Sequence, residues 1–250
     1  MCILGVAIKV NKEFPFILVA NRDEFYCRST MHAHFWKETP AILGGIDLEK
    51  GGTWLGIKRN GNIAALTNVR EAGNKDMPFQ SRGDLVKNYL KNPSSYEKEL
   101  NKKEQYDGFN LLYGNINELT YVSNRVLDTA KIKEGVHILS NASLNTPWPK
   151  SNYLRKGLEN MASISSKEQL QRDLLLLLQD EKEGLEEELP DTGFGKEMEK
   201  FLSPVFIKGE GYGSRSSTVI IVDKHNNCIF MEKTYIPEEM QVIYEFQLQI

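Results

Sequence analysis

The residue types best suited to chemistry begin at the start of the chain. Cys2 directly follows the initiator Met1. Methionine aminopeptidase generally removes Met ahead of a small residue such as Cys, so the mature chain is expected to start at Cys2. A first residue with a thiol and a free α-amine carries a nucleophile and a candidate general base on one frame. In unperturbed peptides these groups titrate near about pH 8.5 and about pH 7.7–8.0. Such a centre needs, in addition, donors for an oxyanion and a charge that holds the amine. Arg22 and Asp23 lie one hairpin further on, where a guanidinium would lower the thiol pKa and a carboxylate would hold the ammonium. Asn68, Asn141 and Arg215 fall at the edges of expected strands, and the Asn side-chain amide is a suitable oxyanion donor. Taken singly, each has a plainer reading. Cys2 suits a small buried strand position, Asn68 and Asn141 suit turns, and Arg22 with Asp23 suits a surface pair of little energetic weight. Taken together, around the first strand, they describe a site.

The elements that must position these groups follow from hydrophobic period and turn residues. Apolar runs over 2–10 and 16–21, joined by Asn11-Lys12-Glu13-Phe14-Pro15, predict a hairpin that delivers Asn21-Arg22-Asp23-Glu24 at its end. Thr53–Lys58 and Ile63–Asn68, separated by Arg59-Asn60-Gly61-Asn62, predict a second hairpin. Helical spacing of Leu85, Val86, Tyr89 and Leu90 begins after Ser81, Asn92-Pro93 stops it, and a polar helix starts near Ser94. Strands are expected at Phe109–Tyr113, Leu119–Ser123 and Val136–Ser140, and helices over about 150–162 and 166–180, the second opened by the capping pattern Ser166-Lys167-Glu168-Gln169. An acidic segment, 180–194, reads as a solvated loop before strands at 216–222, 228–234 and 241–248. Strands, then helices, then strands again indicate an α+β arrangement of antiparallel sheets covered by helices, with a single domain over 1–250.

Composition narrows the functional classes. With 31 Lys and Arg against 34 Asp and Glu, the net charge of −3 offers no basic field for a phosphate backbone, so nucleic acid is not an expected partner. No apolar run approaches the roughly 18–20 residues of a membrane-spanning helix. The start of the chain lacks a basic n-region and a small-residue cleavage site, and so reads as a strand rather than a signal peptide. Cys2, Cys27 and Cys228 are odd in number and widely spaced. They suggest neither a disulfide framework nor a zinc site, and a reducing compartment, the cytoplasm, is the expected location.

Seven segments carry a family resemblance: Met1-Cys2-Ile3, Ala20-Asn21-Arg22-Asp23-Glu24-Phe25, Gly51-Gly52-Thr53-Trp54-Leu55-Gly56-Ile57, Ala64-Ala65-Leu66-Thr67-Asn68, Gly108-Phe109-Asn110-Leu111-Leu112, Leu139-Ser140-Asn141-Ala142 with Pro147-Trp148, and Gly211-Tyr212-Gly213-Ser214-Arg215. They resemble the NRDE family, that of transport and Golgi organisation protein 2, over essentially the whole chain. That family in turn resembles the cysteine N-terminal nucleophile (Ntn) hydrolases, the penicillin V acylase and bile salt hydrolase group, which implies a four-layer αββα sandwich of two antiparallel sheets. By this resemblance Cys2 matches the nucleophile, and Asn68 falls near the strand supplying one oxyanion donor. Asn141 matches the Asn of a later strand, and Arg215 the late active-site Arg. The acylases place Arg and Asp three positions apart, whereas Arg22 and Asp23 are adjacent here. Their side chains should therefore leave opposite faces of the sheet, with Arg22 facing Cys2.

Two functions compete at this level. The first is an amidase without a cofactor, in which the Cys2 thiolate attacks a carbonyl carbon, Asn141 and a backbone N–H hold the oxyanion, and Asp23 and Trp148 contact a small-molecule substrate. The second is a non-catalytic carrier of haem or an acyl lipid in the same cleft, with His32, His34, His137 and Cys2 as the candidate iron ligands. Trp36, Trp54 and Trp148 read first as packing anchors, and Gly211-Tyr212-Gly213 as a flexible lead into a strand.

Overall fold

The computed structural model describes residues 2–72, 79–127 and 129–250. Met1, whose removal is expected, lies outside them. The first hairpin is β1 (Cys2–Ile8) with β2 (Phe16–Phe25), followed by β3 (Thr30–Trp36), β4 (Thr39–Asp47), β5 (Leu55–Lys58) and β6 (Asn62–Asn68). After α1 (Gly83–Lys91) and the short α2 (Tyr96–Leu100) come β7 (Phe109–Asn115), β8 (Glu118–Ser123), β9 (Ala130–Lys131) and β10 (Gly135–Leu139). The chain continues through α3 (Pro149–Asn160), α4 (Lys167–Leu177) and α5 (Lys196–Phe201) to β11 (Tyr212–Val222), β12 (Asn227–Thr234) and β13 (Met240–Gln247). Among the described residues the strands form two antiparallel sheets, ordered β10-β1-β2-β11-β12-β13 and β3-β4-β5-β6-β7-β8-β9.

The layering follows from alternation along β1 and β2, where both faces are apolar. Leu4, Val6, Ile8, Phe16, Leu18 and Ala20 fill the seam between the sheets against Leu55, Ile57, Ile63 and Leu112. Ile3, Ala7, Ile17 and Val19 point the other way, onto Leu154 and Leu158 of α3 and Leu170 and Leu174 of α4. A Cβ at Gly5 would lie 2.7 Å from a Leu158 methyl, so only glycine lets α3 approach β1 this closely. On the outer face of the second sheet, α1 lays Leu85, Val86, Tyr89 and Leu90 onto Ile42, Ala64, Leu66 and Leu111. Helices, sheet, sheet and helix make the expected αββα sandwich. β1 lies inside its sheet, flanked by β10 and β2, which gives Cys2 a rigid support.

Several boundaries differ from expectation. Arg22, Asp23 and Glu24 lie within β2 rather than past its end, because β11 extends back to Tyr212 and pairs with the strand as far as Phe25. The Gly211-Tyr212-Gly213 stretch is thus largely strand, not a flexible lead. β3, β4 and α5 were not foreseen. Trp54 precedes β5 instead of standing in it. The capping pattern holds, since Ser166 Oγ accepts from the Gln169 N–H at 3.2 Å.

Candidate active site

Cys2 and Arg22 are cross-strand partners in the β1–β2 ladder. By the period of two, both project from the seam face that carries Leu4 and Val6. At this end of the seam a cleft of about 380 Å³ opens, lined among others by Cys2, Arg22, Asp23, Trp54, Asn68 and Arg82. Arg22 is held away from solvent: it donates to Thr30 Oγ1 at 3.0 Å and Asp47 Oδ2 at 3.4 Å, and its guanidinium lies 4.3 Å over the Trp54 ring. Asp47 also accepts from Arg28 Nε at 2.6 Å and from the Glu49 and Lys50 N–H groups at 3.0 Å each. Burial opposes its charge, yet the Arg28 hydrogen bond and the neighbouring guanidinium charges outweigh it and hold Asp47 below the usual carboxylate range.

Asp23 leaves the opposite face, as adjacency in a strand requires, and enters a buried polar cluster beneath the helices. Ser214 Oγ donates to Asp23 Oδ1 at 2.6 Å and itself accepts from the Ile207 N–H at 3.0 Å. Arg70 Nη1 donates to Glu199 Oε2 at 2.5 Å in a fully buried pair. Lys150 Nζ donates to the Leu202 carbonyl at 3.0 Å. Burial pushes Asp23 up, opposed by Lys150, Ser214 and Arg70, and pushes Lys150 down to about 7. Cys2 opens onto the cleft, but protein packs densely around its sulfur. Burial and the Asp23 charge outweigh Arg22 and a hydrogen bond from the Asp23 backbone, so the thiol pKa is raised. Arg22 pulls the thiol down as expected, but burial outweighs it, and the thiol needs a base to take its proton.

The remaining expected residues stand one layer back. Asn141 is fully buried: its Nδ2 donates to the Asn68 carbonyl at 3.0 Å, and its own carbonyl accepts from the Arg70 N–H at 2.7 Å. Its amide fixes the segment that carries Asn68 and does not line the cleft. The β2–β11 register slips between Ser214 and Ser216, which makes Arg215 the bulged residue. Its guanidinium donates to the carbonyls of Phe25 at 3.1 Å, Tyr26 at 3.3 Å and Arg28. It thus braces the β2–β3 connection and lines a neighbouring cavity of about 210 Å³ with Glu232. Trp148 is the N-cap residue of α3, with Arg70 4.8 Å over its ring, and it packs there instead of touching the cleft.

Among the described residues no cluster of three or more His, Cys, Asp or Glu is placed to hold a metal ion. The His32 and His34 rings are 6.4 Å apart, and His137 is bonded to Asn145. The Cys2 cleft has none of these three imidazoles in its lining. Sequence reasoning missed Asp47, Arg70, Arg82, Lys150 and Glu199. Their burial depends on partners tens of residues away, and a charged residue read alone signals a solvated surface.

Two antiparallel sheets between helices, with the first strand inside its sheet and its cysteine at a cleft, define an Ntn-hydrolase-type fold. Two mutant forms of the conjugated bile acid hydrolase of Clostridium perfringens match it with TM-scores of 0.51 and 0.52, at 10% and 11% identity. The matches cover 99% and 100% of this chain and 97% and 99% of those chains. Such low identity carries the fold alone. The chain belongs to the Transport and Golgi organisation 2 family, whose profile matches residues 1–237. It is 33% identical over 261 residues to the human Transport and Golgi organization protein 2 homolog, with 94% of each chain covered. Its identity to the Mus musculus homolog is 31%, with the same coverage, and to the Drosophila melanogaster protein 27%, with 94% of this chain and 92% of that one covered.

Proposed function

We propose that the protein is an N-terminal-cysteine hydrolase that cleaves a non-peptide C–N amide bond of a small acylated molecule. The observation that carries this reading is Cys2, at the inner end of a central strand, opening into a cleft beside Asn68 and Arg22. The volume falls in the range of small-molecule sites, about 300–1,000 Å³. Charged side chains surround Trp54, Leu66 and Phe79 in the lining, which suits a substrate that is polar around its scissile bond. The fold neighbours are named as hydrolases, which supports the same reaction class.

Once Met1 is removed, the Cys2 α-amine accepts the thiol proton, and the thiolate attacks the carbonyl carbon. The Asn68 side chain at the cleft wall is our candidate donor to the resulting oxyanion. Collapse breaks the C–N bond, the amine leaves with a proton from the α-ammonium, and a thioester remains. Water, deprotonated by the α-amine, then hydrolyses the thioester to a carboxylic acid and the free thiol. A reducing compartment, the cytoplasm, suits a chain whose Cys2, Cys27 and Cys228 are all free thiols.

The test is turnover of an acyl-amide panel, read as released amine, by protein shown by intact mass to begin at Cys2. Turnover by the wild type and its loss in Cys2→Ala support the reading. No turnover across the panel, together with saturable binding of haem or acyl-CoA, favours a carrier instead.

A further inference from the structure

One register row crosses four neighbouring strands on the seam face. Cys2 of β1 pairs with Arg22 of β2, Arg22 with Ser216 of β11, and Ser216 with Thr234 of β12. Cys2 stands in the cleft already described, while Ser216 and Thr234 line the neighbouring cavity of about 210 Å³. Arg22 and Trp54 line both spaces, so their stacked pair is the wall between them. The cavity is smaller than the roughly 300–1,000 Å³ of most ligand sites, which restricts its occupant to few atoms.

Two buried charged residues face this space, Arg215 at 4% and Glu232 at 2% exposure. Arg22 has Asp47 at 3.4 Å. Arg215 has no such answer among the described residues: Nη1 goes to the carbonyls of Phe25, Tyr26 and Arg28, and Nη2 to that of Ile236 at 3.4 Å. Glu232 accepts from the Ala33 N–H at 2.7 Å, and burial pushes its carboxyl up to about 7, so below that pH it offers a proton to a partner rather than a charge. His32 and Glu238, also in the lining, are exposed and screened by water. The buried groups thus sum to one uncompensated positive charge. A fold gains nothing from a buried guanidinium without a counter-charge, whereas a bound anion supplies it.

We propose that this cavity is a second binding site, separate from the Cys2 cleft, for the carboxylate of a short-chain organic acid. Arg215 supplies the charge, and the Glu232 carboxyl and the Ser216 and Thr234 hydroxyls supply hydrogen-bond donors. Ile236, Pro237 and Met240 complete the lining and give a short hydrocarbon stem an apolar surface, which a strongly hydrated inorganic anion does not use. The acid is a molecule of its own, because the Arg22–Trp54 wall stands between this site and the cleft. The site does not depend on Cys2 being a nucleophile.

The experiment titrates the full chain with butyrate in a calorimeter at about pH 6, where Glu232 keeps its proton, with butylamine and inorganic phosphate as comparison probes. Butyrate should bind saturably with a Kd on the order of 1 mM, as fits so small a ligand, and phosphate at least about tenfold more weakly. Butylamine should not bind. Arg215→Met should weaken butyrate by about tenfold or more. Because Arg215 also braces the β2–β3 connection, Thr234→Leu is the second variant: it fills the cavity from its floor, keeps the Arg215 bonds and should abolish binding. Absence of saturable butyrate binding, or binding that Thr234→Leu leaves unchanged, overturns the site. A preference for butylamine overturns its charge, and phosphate bound as tightly as butyrate overturns the organic acid as its ligand. Arg215 and Thr234 stand outside the Cys2 cleft, so each of these failures leaves the hydrolase reading standing.

Discussion

Cys2 and Arg22 face one another across the β1–β2 ladder, yet the guanidinium is turned onto the Trp54 ring 4.3 Å away rather than committed to the sulfur. Arg22 is a wall of the cleft whose orientation is set by the second sheet, through Trp54 and Asp47. The two sheets must therefore keep their spacing for the cleft to keep its shape.

Gly45 guards that spacing, because a Cβ there would collide with the Trp54 ring. Gly45→Ala should displace the indole, change its fluorescence and cost about 1–3 kcal/mol in urea unfolding. Turnover should fall along with the stacking on Arg22. Unchanged fluorescence and stability would show that the ring is not wedged there.

Asp47→Asn leaves Arg22 and Arg28 without their shared carboxylate. It should cost about 1–2 kcal/mol at pH 7, a figure kept low because water screens the open side of the cleft. The folded-state pKa of Asp47 is depressed. Its stabilisation is therefore present above the unfolded value of about 3.9 and is lost as pH falls through the lower folded value. Urea melts from pH 7 downward should show that acid loss in the wild type and a flatter profile in the variant.

Glu232 has the opposite sign. Burial pushes its carboxyl up to about 7, so on raising pH the unfolded chain ionises first, near about 4.3. Stability then declines as pH rises from that value to about 7 and is flat beyond. Glu232→Gln keeps an oxygen for the Ala33 N–H, accepted at 2.7 Å. It should stabilise the protein at pH 8 by on the order of 1–3 kcal/mol while leaving it about equal at pH 4.5. A variant less stable than wild type at pH 8 would contradict this.

The Arg70–Glu199 pair is 1% and 2% exposed. Arg70→Met strands a buried carboxylate and should cost about 3–5 kcal/mol. Replacing both residues by Met should cost less than the two single changes added together, which a double-mutant cycle in urea would read directly.

The legible parts of the molecule were those whose signal is local. Alternation in β1 and β2, the Asn60-Gly61 turn with Gly61 at φ 80°, and the α1 spacing needed only a few neighbouring residues. β3 escaped because Met31 and His32, neighbours in the strand, are both exposed, so its burial pattern has no clean alternation. β4 escaped because Pro40 and the Gly44-Gly45 pair resemble a loop, although the glycines are there for close contact with Leu55 and Trp54. At the site, Cys2, Arg22 and Asn68 were found from type and position. The inward turn of Asn141 toward the Asn68 carbonyl, and the bulge that diverts Arg215, depend on strand registers that no single segment encodes.

The placement of β1 also bears on the order of events during synthesis. Its partner β10 ends at Leu139, and β11, which closes the other side of β2, ends at Val222. At about 5–20 residues per second, the ribosome needs roughly 10 to 40 s to make the chain between the first strand and the end of β11. Until then the sheet cannot close over the first residues, so the leading end stays open to solvent for most of synthesis. Long sequence separation thus works as a timer that delays the burial of the chain's first strand.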